Sequence, residues 1–284
     1  MAPNVTVVMA TRNRRETALG TLGRLSAVAE RPPIVVVDNA STDGTADAIR
    51  MKHAEIEVIQ LDENLGAAAR NVGVRRARTP YVAFSDDDSW WAPGSLTRAA
   101  RLLEACPRLA LVAARILVGP EGRLDPTCAL MASSPLHHLH PETEGSAILG
   151  FLACGAILRR GAFLEAGGFC SRFGIGAEEE LLAVDLAVAG WDLAYVEDVV
   201  AHHHPSAERD SQRRRRTQTR NAMWSAWLRR PAVAALRRTG RLLLAPDGNT
   251  PAALMEALVG LPWVLRNRRV VPPALEDSLR LVIG

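Results

Sequence analysis

Only four cysteines occur in this chain of 284 residues, and Cys106, Cys128, Cys154 and Cys170 are dispersed with no CxxC pair. That pattern supports neither a zinc site nor a disulfide framework. Long apolar runs are absent: none reaches the roughly 20 residues that a bilayer-spanning helix requires. No GxGxxG follows the first predicted strand, which disfavours a dinucleotide fold. Neither GxxxxGKS nor GxxxxGKT occurs, which argues against an NTPase phosphate loop. No Ser-His-Asp order or nucleophilic cysteine arrangement is present. The chain enters a strand by Val5, so no secretory leader is expected, and the expected setting is the cytoplasm. At 48% apolar residues the chain suffices for one large domain with an appendage, read as a domain over 1–206 and a helical extension over 207–284.

What is present is a tight alternation of strand and helix. Val5-Thr6-Val7-Val8-Met9-Ala10 predicts a strand, and residues 16–29 carry apolar side chains at helical spacing. Ile34-Val35-Val36-Val37 is a continuous apolar strand ending at Asp38. Residues 43–52 predict a helix, 57–61 a strand, 67–77 an Ala- and Arg-rich helix, and Tyr81-Val82-Ala83-Phe84 a fourth strand. Continuous β-branched runs separated by helices indicate a parallel sheet covered on both faces. The connections, Asn39-Ala40-Ser41-Thr42-Asp43-Gly44 and Asp62-Glu63-Asn64-Leu65-Gly66, have the polar chemistry of turns. The first four strands therefore make a nucleotide-binding type of half-domain.

Directly after the fourth strand stand three carboxylates, Asp86-Asp87-Asp88. In open α/β sheets the carboxyl ends of strands are where ligands bind. Three adjacent like charges repel one another, and a fold tolerates them mainly where a cation neutralises them. Hard divalent ions such as Mg²⁺ and Mn²⁺ take carboxylate oxygens and share their remaining positions with water and phosphates. A solvated acidic turn capping a helix that starts near Pro93 is the other reading.

Taken together, five motifs in order resemble the family 2 glycosyltransferases of GT-A fold. They are residues 7–13, Val36-Val37-Asp38-Asn39 with its continuation to Thr45, Asn64-Leu65-Gly66 to Gly73, Phe84-Ser85-Asp86-Asp87-Asp88, and Gly167-Gly168-Phe169 followed by Gly176-Ala177-Glu178-Glu179-Glu180. The resemblance covers roughly residues 4–204 and implies a mainly parallel central sheet flanked by helices, with a carboxy-terminal helical extension. It implies an inverting transfer of a sugar from a nucleotide-diphosphate sugar to an acceptor hydroxyl, on a cell-envelope glycan, a lipid carrier or a secondary metabolite. By the same resemblance Thr11, Asp38 and Arg70 contact the nucleotide. Asp86 and Asp88 match the family's Asp-x-Asp and hold a divalent cation, Mn²⁺ or Mg²⁺, while Asp87 turns into the sheet or binds sugar hydroxyls. Glu179, with Glu178 as the alternative, matches the general base. A late histidine, His202 or His204, is expected at the metal or diphosphate; in an extended segment these two face the same side. The acceptor is expected within 119–150. A non-catalytic protein that binds nucleotide sugar or a partner enzyme is the competing reading.

Charge is unevenly divided. Fifteen Arg against six Asp and Glu lie in 205–284, a balance of +9 that leaves −6 for the rest of a chain with net charge +3. The run Arg213-Arg214-Arg215-Arg216 leads into Trp224, Trp227, Arg229 and Arg230, and later into Leu236, Arg237, Arg238 and Leu242-Leu243-Leu244. A further helix over 252–265 precedes Arg266, Arg268 and Arg269. Such basic amphipathic helices either lie on an anionic membrane surface, at the inner face of the cell membrane, or pack on the catalytic domain. No nucleic-acid reader motif is present, so no nucleic-acid partner is expected.

Overall fold

The computed structural model describes residues 4–205, 211–244 and 250–283. Its first half follows the alternation legible in the sequence: β1 (Val5–Thr11), α1 (Arg15–Ser26), β2 (Ile34–Asp38), α2 (Thr45–Lys52), β3 (Glu57–Gln60), α3 (Ala69–Arg76) and β4 (Tyr81–Asp86). These strands pair in parallel in the order β3-β2-β1-β4. Val7, Val8, Met9, Val36, Val82 and Phe84 are wholly buried. Continuous apolar runs are what a sheet with helices on both faces demands.

The second half comprises β5 (Ser89–Trp91), α4 (Ser95–Ala105), β6 (Leu109–Val118), β7 (Arg123–Leu124), α5 (Pro126–Ala132), β8 (Ser146–Ala147), β9 (Ala156–Arg159), α6 (Arg160–Glu165), α7 (Glu178–Val188) and β10 (Asp192–His203). The sheet continues from β4 through β9, β6, β10 and β5. β9 is antiparallel to both its neighbours, whereas β10 runs parallel to β6. The sheet is thus mixed, with its parallel part at the amino-terminal end. β10 runs through to His203, and its register against β6 slips between Val196 and Val200. Irregularities of this kind re-aim the side chains that follow them.

Five helices follow: α8 (Ser211–Arg229), α9 (Ala232–Leu244), α10 (Thr250–Val259), α11 (Leu261–Arg266) and α12 (Pro273–Ile283). The boundary expected at 206/207 lies outside the described residues. α8 is the centre of this layer and packs against α7, α9, α10 and α11. Phe173 and Leu181 of the sheet domain share one apolar cluster with Met223, Trp224, Leu228, Ala257 and Val264. Leu149 and Val184 share another with Val271 and Leu279. Arg229 grips Asp185 through two nitrogens, and Arg238 reaches Glu180 at 2.8 Å. The extension therefore shares its apolar cores with α7.

Candidate active site

The strand ends converge because the register makes them neighbours. Thr11 pairs with Asp38, and Ala10 with Asp86. Asp38 has no exposed surface; the Ser41 hydroxyl donates to its Oδ1, while its Oδ2 is buried without a hydrogen-bond partner. Asp43, ahead of the α2 N-cap Gly44, accepts from the Thr45 amide at 3.0 Å. A buried carboxylate oxygen with no donor is costly, and a ligand N–H or O–H relieves it. Asp87 turns towards β1 and α1: Thr11 Oγ1 donates to its Oδ2 at 2.9 Å, and Thr21 Oγ1 to its carbonyl at 2.6 Å. Burial, reinforced by Asp88, pushes its carboxyl up to about 6.

Asp88 is buried, and its Oδ1 lies 3.3 Å from His203 Nε2. That nitrogen has no hydrogen-bond partner. Ligand atoms of Asp86, Cys154 and His203 all lie within 4.8 Å of one another. Carboxylate oxygens suit Mn²⁺ or Mg²⁺, and an imidazole suits Mn²⁺ the better of the two, so Asp86, Asp88 and His203 fit the expected cation. Burial raises the Cys154 thiol well above its usual range and leaves it a poor donor for either ion. His202 and His204 do share a face, as alternation requires, but that face packs on Trp90. The His202 ring stacks on it at 5.4 Å, His204 meets it edge-on at 4.6 Å, and the Arg24 guanidinium lies over it at 3.9 Å. Burial, then His204 and Arg24, hold the His202 imidazole below its usual range. The histidine turned to the carboxylates is His203, which sequence reading did not single out. Cys154 escaped notice because a dispersed cysteine carries no motif.

Arg70 projects from α3 and pairs with Asp86. Burial disfavours its charge, but Asp86, Glu178 and Glu179 outweigh this and raise its pKa. Glu178 and Glu179 open α7 after a turn in which Gly174, Gly176 and Ala177 all take positive φ. Glu178 is 4% exposed, and burial together with Glu179 pushes it up to about 8. Burial also raises Glu179, against hydrogen bonding from its own and the Ala153 backbone and the charge of Arg70. Glu180 is committed elsewhere, accepting from Ser225 Oγ at 3.0 Å and Arg238 Nη2 at 2.8 Å. Beyond Glu179 opens a cavity of about 300 Å³, walled by Leu130 and Met131 of α5, Leu149, Phe151, and Val282 and Ile283 of α12. Only part of this wall lies in the expected acceptor region 119–150. Glu179 thus stands between the Arg70–Asp86 pair and an apolar cavity.

Residues 6–167, more than half of the chain, match the family model described as Glycosyl transferase family 2. The chain belongs to this family. It is a transferase of the glycosyltransferase class, and the matched span holds Thr11, Asp38, Arg70 and the acidic triplet but stops short of α7. The N-acetylglucosaminyl-diphospho-decaprenol L-rhamnosyltransferase of Mycobacterium tuberculosis is 27% identical over 216 residues, covering 64% of this chain and 70% of that protein. The pre-mycofactocin glycosyltransferase of the same species is 29% identical over 269 residues, covering 92% of this chain but 52% of that protein. The mannosyltransferase of Pyrobaculum calidifontis, solved with GDP-Man and Mn²⁺, superposes with a TM-score of 0.61 at 24% identity, over 94% of this chain and 73% of that one. At that identity the likeness speaks for the GT-A fold.

Proposed function

We propose that this family 2 glycosyltransferase moves a sugar, with inversion, from a nucleotide-diphosphate donor to an acceptor hydroxyl. The observation that carries the reading is the place of Glu179, between Arg70 with Asp86 on one side and the cavity on the other. Asp38 takes a donor from the base or ribose on its open Oδ2, beside Thr11. Arg70 binds the diphosphate, and Asp87 braces the strand end. Asp86, Asp88 and His203, with Cys154 adjacent, are the residues that would hold a cation. A bound Mn²⁺ or Mg²⁺ supplies positive charge for the oxygens of the leaving diphosphate. Glu179, which lines the cavity, takes the proton of the acceptor hydroxyl, beside Glu178 in the same helical turn. The acceptor oxygen then bonds to the anomeric carbon as the bond to the diphosphate oxygen breaks with its electron pair.

The cavity beside Glu179 is the proposed acceptor site, and its apolar wall accords with an acceptor on a lipid carrier, the kind named for the mycobacterial rhamnosyltransferase. Exposed Val233, Leu236, Leu243 and Leu244 on α9 and Met255, Leu258 and Val259 on α10 support peripheral attachment to a membrane surface, proposed as the cytoplasmic face. Among the described residues no helix is long and apolar enough to cross a membrane.

The test is a panel of nucleotide sugars with Mn²⁺ or Mg²⁺, read as diphosphate release and by calorimetry. Asp88→Ala is expected to remove metal-dependent nucleotide binding, and Glu179→Gln to spare binding and abolish transfer. Normal transfer by Glu179→Gln overturns the base assignment. Failure of every nucleoside diphosphate to bind, with any divalent ion, overturns the whole reading.

A further inference from the structure

The turn that launches α7 is gripped by the carboxy-terminal helices. Gly174 and Gly176 have φ of 70° and 92°, and Ala177, which carries a Cβ, has 63°. A left-handed alanine persists only where its surroundings over-determine it. Here they do. Asn221 of α8, with no exposed surface, donates from Nδ2 to the carbonyls of Phe173 at 2.8 Å and Gly176 at 2.7 Å, with Ile175 O at 3.3 Å. Its Oδ1 accepts from Arg220 Nη2 at 2.7 Å, and the same nitrogen donates to Phe173 O at 3.0 Å. A Cβ on Gly176 would stand 2.3 Å from Gln218 Cγ, so α8 lies directly against the turn.

The opposite side is held by the nucleotide half. The Ala67 amide donates to Gly174 O at 2.6 Å, and a Cβ on Gly66 would stand 2.2 Å from that same oxygen. Asn39, next to Asp38, fixes this loop in turn, accepting from the Leu65 amide at 2.7 Å and donating to Gly66 O at 3.0 Å. Residues 173–177 are therefore clamped between the loop after β3 and α8. Among the described residues, Asn221 is the one side chain of α8 that bonds both ends of the turn.

We propose that Asn221 is a positioning residue for the α7 carboxylates, so that the carboxy-terminal extension holds the general base in register with the nucleotide half. The proposal rests on Glu179 being that base. Asn221→Asp keeps the shape but turns an oxygen on two carbonyls, and Asn221→Ala removes the donors without adding charge. Hydrogen exchange is compared in full-length wild type and whichever variant keeps the wild-type fold by circular dichroism. Amides over 175–181 are expected to exchange at least tenfold faster, with β1, β2 and β4 unchanged. Affinity for UDP and GDP with Mn²⁺ is expected within twofold of wild type, while kcat of transfer falls at least tenfold at unchanged donor KM. Unchanged exchange over 175–181 overturns the proposal, as does a parallel loss of nucleotide affinity and kcat. If wild type binds no nucleoside diphosphate with any divalent ion, the proposed function falls while the exchange result still decides the role of Asn221.

Discussion

At Glu178 the fold holds a proton that water would take. Its unfolded pKa lies near the model-peptide value for Glu, roughly 4.3, and its folded value is about 8. Between these the folded chain binds more protons than the unfolded one, so stability declines as pH rises. The contribution is complete below about pH 4.5 and lost as pH climbs to about 8. Asp87 acts in the same direction over a lower window, ending at about 6. Glu178→Gln is expected to match wild type near pH 4.5 and to melt on the order of 5 °C higher at pH 8, without nucleotide. Calorimetric melts from pH 4.5 to 8 check this; parallel slopes for the two proteins would contradict it. The residue scale is also where sequence and structure part. Thr11, Asp38 and Asp86 were legible because apolar runs dictate where strands end. Cys154 and His203 were not, because their places depend on strands brought together late in the chain.

At the scale of the element, β10 explains the histidines. Alternation correctly put His202 and His204 on one face, but which face meets the carboxylates depends on how the strand lies after its slip against β6. A slip is set by the partner strand, and no local run announces it. The face with His202 and His204 became a packing surface for Trp90, and His203 was left toward Asp88. His203→Ala is accordingly expected to weaken Mn²⁺-dependent binding of nucleoside diphosphate by about 10- to 100-fold, the range seen when the hold on a metal is disturbed. His202→Ala is expected to change it less than threefold. Calorimetric titration of both variants separates the two; an equal loss would return the metal role to the His202 face. α7 teaches the converse. Its three glutamates share one helical turn, yet Glu180 bonds Ser225 and Arg238 of the extension while Glu178 and Glu179 act on Arg70. Three like residues in a row are divided by what packs around them.

For the whole molecule, the sequence's uneven charge becomes an interface. Arg229 with Asp185 and Arg238 with Glu180 tie the basic extension to the acidic sheet domain, and Arg230 with Glu276 forms a buried pair within the extension. Removing everything after residue 205 would uncover Phe173, Leu181 and Val184, so such a truncation is expected to aggregate or melt far below wild type. The pairing uses some arginines and leaves Arg237, Arg241, Arg266 and Arg269 exposed. Eleven of the seventeen large apolar side chains exposed among the described residues also lie in 211–283, Leu244 being 85% exposed. On α9, Val233, Leu236, Gly240, Leu243 and Leu244 recur at helical spacing on the side away from Ala234 and Ala235. An apolar stripe flanked by arginines suits the boundary of an anionic bilayer, where each cation near the surface contributes about 1 kcal/mol. Full-length protein is expected to float with vesicles containing phosphatidylglycerol, to float less with phosphatidylcholine alone, and to release as salt rises. The variant carrying Leu236→Glu and Leu244→Glu is expected to stay at the bottom of the gradient while binding nucleotide normally. Flotation of that variant at the wild-type level would show that the stripe is not what meets the lipid.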